Sequence, residues 1–311
     1  MKIVQPGKNY YPAIKTLELI ESKLAEDQGN SFRQWLGKIM PHLDDAYRVN
    51  NSPFRGHLGA SGLGEECGRK IWYDFRWFTN KKFDGRLIRL FNRGHMEEGR
   101  FIALLLMCGI QIFQQDANGK QFRISFANGH AGGSGDGIVL GVPEIPNAYL
   151  LSEFKTASDK KFNEFVKDGV KIANHTYYVQ MQLYMKEMNL CAALFMVVNK
   201  DTDALHAEIV PFDEIVANQH ISKGENLVYS TGESPPKKIN NSPGFYKCKF
   251  CDHRPVCHLN AAPAVNCRTC TYSKPSDENN SWICTINLPL TIDEKQQLRA
   301  CEDYEAVRVC D

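Results

Sequence analysis

No apolar run in this chain is long enough to cross a bilayer as a helix. The longest runs, such as Phe101 to Cys108, fall far short of the roughly 20 residues such a span needs. The opening residues Met-Lys-Ile-Val-Gln-Pro-Gly-Lys lack the apolar core of a secretory signal, so a soluble, cytoplasmic protein with no membrane partner is expected. Charge of one sign is also missing. Lys and Arg number 37 against 36 Asp and Glu, a formal net charge of +1, so any surface for a polyanion must be local. There is no internal repeat, no low-complexity block and no Gly-x-x-x-x-Gly-Lys-Ser/Thr phosphate loop, which removes the P-loop ATPases. Wholesale disorder is excluded too, because 43% apolar composition over 311 residues can bury a full core and suggests about two domains.

What is plentiful is cysteine, with 11 residues. In a reducing compartment their spacing reads as metal ligation rather than as disulfides. Cys108 and Cys191 lie in apolar runs and read as packed core thiols, and Cys310 carries no signal. Cys248-x2-Cys251-x5-Cys257 offers three thiolates, one short of a four-ligand site. Cys267-x2-Cys270-x13-Cys284-x16-Cys301 offers four and fits a tetrahedral structural zinc. About 35 residues could not bury a core unaided, so a metal is the natural staple there.

Apolar spacing predicts helices over 14–24, 64–75, 86–107, 162–170, 177–188 and 213–229. Strands are expected at 110–113, 122–126, 137–141, 149–155, 193–198 and 206–210, with a mixed polar region from the first helix to Leu58. That order describes an α/β fold, a mixed sheet flanked by helices. Beyond Thr231 the composition turns to Pro, Lys, Asn and Cys, which marks the end of that core.

The chemistry centres on Glu153-Phe154-Lys155. Side chains two apart in a strand share a face, and a hairpin partner ending in Asp136, within Gly135-Asp-Gly137, would add a second carboxylate. Two carboxylates bind a hard divalent cation, and an adjacent ammonium can orient water or stabilise charge on a phosphate. A lone Glu-x-Lys is more often a surface salt pair. Gln180 and Tyr184, at i and i+4, share one helix face. Upstream, Gly94-His-Met-Glu-Glu98 offers His95 and Glu98 as further ligands, with Glu97 read as a solvated position.

In that order, Gly94-x3-Glu98, Gly135-Asp136-Gly137, Glu153-x-Lys155 and Gln180-x3-Tyr184 resemble the RecB-like branch of the PD-(D/E)XK nuclease superfamily. The resemblance covers about residues 60 to 260. It implies a restriction-endonuclease-like core, Mg²⁺ or Mn²⁺ at Asp136 and Glu153 with the Phe154 backbone carbonyl, Lys155 as the catalytic lysine, and Gln180 with Tyr184 as an extra motif. Phage exonucleases similar to the lambda enzyme carry Glu at the position of Glu98, which is preferred to His95 as a ligand. A cysteine ahead of the core and Cys-x2-Cys-x5-Cys after it is similar to the iron-sulfur staple of CRISPR adaptation nucleases and AddB-type enzymes. This implies a 4Fe-4S cluster on Cys67, Cys248, Cys251 and Cys257, the alternative being zinc on the later cysteines with His253 or His258. The last segment resembles four-cysteine tails of phage proteins.

The expected organisation is an N-terminal helical segment (1–54), a nuclease core with the cysteine staple (55–260) and a zinc module (264–311). The expected function is a metal-dependent deoxyribonuclease, an exonuclease or end- or single-strand-dependent enzyme of recombination, repair or phage DNA metabolism in a bacterial or phage-infected cell. DNA is the partner, with a recombination or helicase protein as a further one. The alternative is a non-catalytic DNA-binding or assembly subunit.

Overall fold

The computed structural model describes residues 9–43, 54–80, 83–230, 235–286 and 289–309. Expectations resting on residues 1–8, Thr231 and Cys310 lie outside these. The chain divides into two compact units, each assembled from separated stretches of sequence. The first takes 1–49, 83–124 and 134–217, and the second 50–82, 125–133 and 218–311.

The first unit is mixed α/β. Its strands are β1 (Tyr11–Pro12), β2 (Gln111–Phe113), β3 (Gly137–Leu140), β4 (Leu150–Ala157), β5 (Ala192–Asn199) and β6 (Leu205–Pro211), in spatial order β1-β6-β5-β4-β3-β2. Only β4 and β5 run parallel; the other neighbours are antiparallel. A parallel pair needs a long crossover. It is supplied by helices α4 (Asp159–Asp168), α5 (Val170–Ala173) and α6 (His175–Met188), numbered after α1 (Ile14–Asp27), α2 (Asn30–Ile39) and α3 (Gly85–Met107).

Strand β4 lies centrally and is buried on both faces, and its alternation divides two kinds of work. Leu150 and Phe154 join the apolar cluster with Ile20 of α1 and Phe101, Ile102 and Leu105 of α3. Phe154 stacks on Phe101 at 5.1 Å and 11°. Glu153 and Lys155 point to the other face, where α6 packs. The central strand therefore anchors the fold with one set of side chains and presents carboxylate and ammonium with the other.

Several expectations are corrected. The region before Leu58, read as mixed and polar, contains α2, whose Phe32, Trp35 and Ile39 pack against the core. That spacing of three and four residues is a helical stripe interrupted by enough polar residues to hide it. The helix read over 162–170 is two helices, because Gly169 has φ +73° and an added Cβ would lie 2.7 Å from the Tyr10 ring. Cys191 is exposed rather than a core thiol, since it precedes β5 instead of lying within it. Cys108 does pack against the core, where burial pushes its thiol up to about 11. Gly64 to Cys67 lies outside the helix that follows, which spans Gly68–Phe75.

In the second unit the C-terminal cysteine segment forms an antiparallel sheet of Ser273–Pro275, Trp282–Cys284 and Leu290–Ile292. This segment is knitted into residues 54–80 rather than standing apart. The guanidinium of Arg268 is buried and donates to the carbonyls of Phe75 (3.0 Å) and Gly56 (2.7 Å) and to Gln297 Oε1 (2.8 Å). It lies 3.9 Å from the centre of the Trp77 ring. Burial pulls its pKa down to about 9, still well above neutrality. Arg268→Ala strands the buried Phe75 carbonyl and the buried Gln297 amide oxygen, at about 1 to 3 kcal/mol for each unsatisfied group. The expected result is a drop of at least about 2 kcal/mol in the urea unfolding free energy. An unchanged midpoint would show the clamp to be idle.

Candidate active site

Asp136 sits in a tight approach between two strands. Gly137 has φ +148°, and a Cβ there would lie 2.8 Å from the Phe113 carbonyl oxygen and 3.2 Å from Ser152 Oγ, so only glycine fits beside the aspartate. The carboxylate is then fixed by the backbone of β4, because Phe154 N donates to Asp136 Oδ2 at 3.0 Å. On the next strand Glu153 Oε1 accepts from Gln180 Nε2 at 3.0 Å and forms an ion pair with Lys155. Lys155 also lies 5.1 Å from the centre of the Tyr177 ring.

The electrostatics follow from burial. Glu153 is 1% exposed. Loss of solvation pushes its pKa up to about 7, with Asp136 adding to the shift and Lys155 opposing it. Burial works against the Lys155 ammonium, but the carboxylates of Glu153 and Asp136 outweigh it and hold the pKa above its ordinary value. Glu153 Oε2 is buried with no hydrogen-bond partner. A buried carboxylate oxygen left in this state costs several kcal/mol unless something positive meets it.

A cleft of about 480 Å³ opens here, lined by Asp136, Phe154, Lys155, Glu98 and His95, together with Tyr177 and Lys200. The structure thus joins Glu153, Lys155 and Gln180 through their side chains, ties Asp136 to the backbone between Glu153 and Lys155, and sets Glu98 and His95 along the same cleft as Asp136 and Lys155. Tyr184 is buried, and its hydroxyl donates to the Ser134 carbonyl at 2.7 Å, two residues before Asp136. Its visible work is to hold the approach to the aspartate. Tyr184→Phe should therefore cost about 1 to 2 kcal/mol of stability and slow any reaction only modestly. A collapse of activity with stability unchanged would place the hydroxyl on substrate instead.

Glu97, read as solvated, is buried: desolvation raises its pKa, opposed by Arg100, whose Nε lies 3.5 Å away. Tyr177 and Lys200 in the cleft were missed, having no motif to mark them. Of the lysines after β4, Lys161 bonds Glu164 and Lys171 bonds Asp213, while Lys160 and Lys167 are exposed.

The two cysteine sets lie in the second unit. Cys67, Cys248, Cys251 and Cys257 line one cavity of about 270 Å³ with Arg69, Lys70 and Lys238. Burial raises the pKa values of Cys248, Cys251 and Cys257, and the charge of Cys67 adds to each shift. Cys267 is pushed up to about 11 by burial and by Cys270, Cys301 and Cys284. Among the described residues no three His, Cys, Asp or Glu groups close into a metal-holding shell. Both ring nitrogens of His253 are engaged, with Thr79 (2.9 Å) and Asp74 (3.1 Å).

No family model and no curated protein matches the chain. Among solved structures it is similar to LHK-Exo, an alkaline exonuclease from Laribacter hongkongensis, at 15% identity and TM-score 0.41 over 56% of this chain and 87% of that one. LHK-Exo in complex with dAMP gives 14%, 0.42 and the same coverage. A protein designated SSO0001 gives 16% identity and TM-score 0.36 over 78% of this chain and 96% of that one.

Proposed function

We propose that this chain is a divalent-metal-dependent deoxyribonuclease of the PD-(D/E)XK type that degrades DNA from strand ends. The observation carrying the reading is the buried, unpartnered Glu153 Oε2 beside Asp136 and Lys155, under a cleft open to solvent. A hard cation suits that oxygen, and Mg²⁺ or Mn²⁺ would be held by Asp136, Glu153 and the Phe154 carbonyl. Glu98 stands along the cleft as a further oxygen ligand, ahead of His95, whose nitrogen suits softer metals. When bound, the metal supplies Lewis acidity, activating water and neutralising charge on the scissile phosphate.

The chain's own groups do the rest. Lys155 stays protonated and can bond a phosphate oxygen or position the attacking water. Gln180 fixes the Glu153 carboxylate through Oε1, which leaves its second oxygen available as a ligand. Tyr184 and Gly137 hold Asp136 in register with it. The two cysteine quartets are proposed as structural staples of the second unit, a 4Fe-4S cluster at Cys67, Cys248, Cys251 and Cys257 and zinc at Cys267, Cys270, Cys284 and Cys301. The shared cavity of the first four cysteines and the spacing of the second four support that assignment.

Digestion of a covalently closed duplex circle beside its linear form, in Mg²⁺ and in EDTA, tests the reading. Loss of the linear form alone, and only with metal, is the expected result. Binding of DNA with no cleavage under any metal would favour a non-catalytic subunit. Equal cutting of both forms at defined sites would overturn end dependence.

A further inference from the structure

The first half of α3 combines two features beside the candidate active site. From Gly85 to Met96 it carries Arg86, Arg89 and Arg93 and no acidic residue, in a protein whose overall charge is balanced. All three arginines are exposed. In the same stretch large apolar side chains face solvent: Leu90 is 39% exposed and Phe91 43%, with Phe83 just ahead of the helix at 53%. Phe83 and Phe91 meet edge to face at 5.1 Å.

This face runs into the candidate active site. Leu90, Phe91, Gly94 and Glu98 line the same cleft as Asp136 and Lys155. Phe101, one turn further along, stacks on Phe154 inside the core. Phe91 therefore lies about 15 Å along the helix axis from that contact. At Gly94 an added Cβ would have nothing within 4 Å, so the helix surface between Phe91 and Glu98 borders open space.

We propose that Phe83, Phe91 and Leu90 form a stacking platform for unpaired bases at a DNA strand end, with Arg86, Arg89 and Arg93 holding its phosphates. Exposed rings flanked by cations match a polyanion whose flat apolar faces are accessible. In a duplex those faces are hidden against one another, so the platform selects single-stranded or frayed ends. The rings would engage the strand and α3 would lead it toward Asp136 and Glu153. The fate of the strand rests on the nuclease reading; the binding does not.

The test is binding of a single-stranded oligonucleotide with 2-aminopurine near its end, in EDTA so that nothing is cut. Wild type should quench the fluorophore by stacking. A Phe83→Ala, Phe91→Ala double variant should lose the quench and bind on the order of 10-fold more weakly. Phe91→Tyr should retain both. Arg86→Ala with Arg89→Ala should weaken binding and flatten its salt dependence while keeping the quench. These side chains are exposed, so thermal melts should remain near wild type.

Full quench and affinity in the double alanine variant would overturn the platform, as would equal affinity for a blunt hairpin with no unpaired end. The two readings fail separately. Wild-type protein that stacks 2-aminopurine yet cuts no DNA removes the nuclease reading alone. A double variant that neither stacks less nor digests linear DNA more slowly removes the platform alone.

Discussion

Glu153→Gln and Asp136→Asn proteins are expected to lose cleavage of linear DNA by roughly a thousandfold or more while staying folded, the scale seen when preorganised charge is removed from a reacting centre. The same carboxylate makes a second, thermodynamic prediction. Glu153 has its pKa raised from 4.5 to about 7 by burial, so the metal-free folded protein holds a proton that the unfolded chain has released. Stability conferred by a raised pKa is complete below the unfolded value and is lost as pH climbs through the folded one. Metal-free protein should therefore lose up to about 3 kcal/mol between pH 4.5 and 7. Lys155 stays charged across that window and contributes no slope.

Added Mg²⁺ or Mn²⁺ should restore stability at pH 8 far more than at pH 5, because only the ionised carboxylate is a ligand. Cleavage should rise with the same transition. Urea melts in EDTA and in metal, at both pH values, provide the measurement. Flat stability from pH 5 to 8 in EDTA, or full cleavage by folded Asp136→Asn, would sink the assignment.

The largest effect in the second unit should come from Cys67. Protein purified without oxygen is expected to be brown with about four irons per chain, as one cluster requires, and zinc in addition. At low temperature, where the second unit stays folded, Cys67→Ser should lose the iron and keep the zinc, while Cys284→Ser should do the reverse. The link from Cys67 to Cys248 closes a loop of about 180 residues, and by analogy with a disulfide it could supply up to ~5 kcal/mol. Cys67→Ser should accordingly unfold the second unit near physiological temperature. Zinc at the first quartet, retained by Cys67→Ser, would refute the cluster.

The site was legible because its chemistry is concentrated in a few residue types at short spacing. Glu153 and Lys155 share a face by strand alternation alone, and the Gln180 partnership with Glu153 is consistent with the helix placed after that strand. What lay hidden was set by tertiary contact. The burial of Glu97 depends on how α3 packs, and the helical stripe of Phe32, Trp35 and Ile39 is diluted by Arg33, Gln34 and Lys38. The carbonyls that receive Arg268 are about 190 and 210 residues away in sequence, beyond any local pattern. The stretch from Gly85 to Met96 was readable as free of acid, but its exposed rings matter only beside a cleft.

The second unit draws residues 54–80 together with residues after 217, and this order of assembly has a cost during synthesis. At about 5–20 residues per second, Phe75 and Trp77 leave the ribosome roughly 10 to 40 seconds before Arg268 and Trp282 exist to pack on them. For that interval the segment is an apolar ribbon with a free thiol, the kind of surface chaperones hold. Yield of folded protein should thus depend on translation speed and on holding factors more than the finished molecule's stability would suggest.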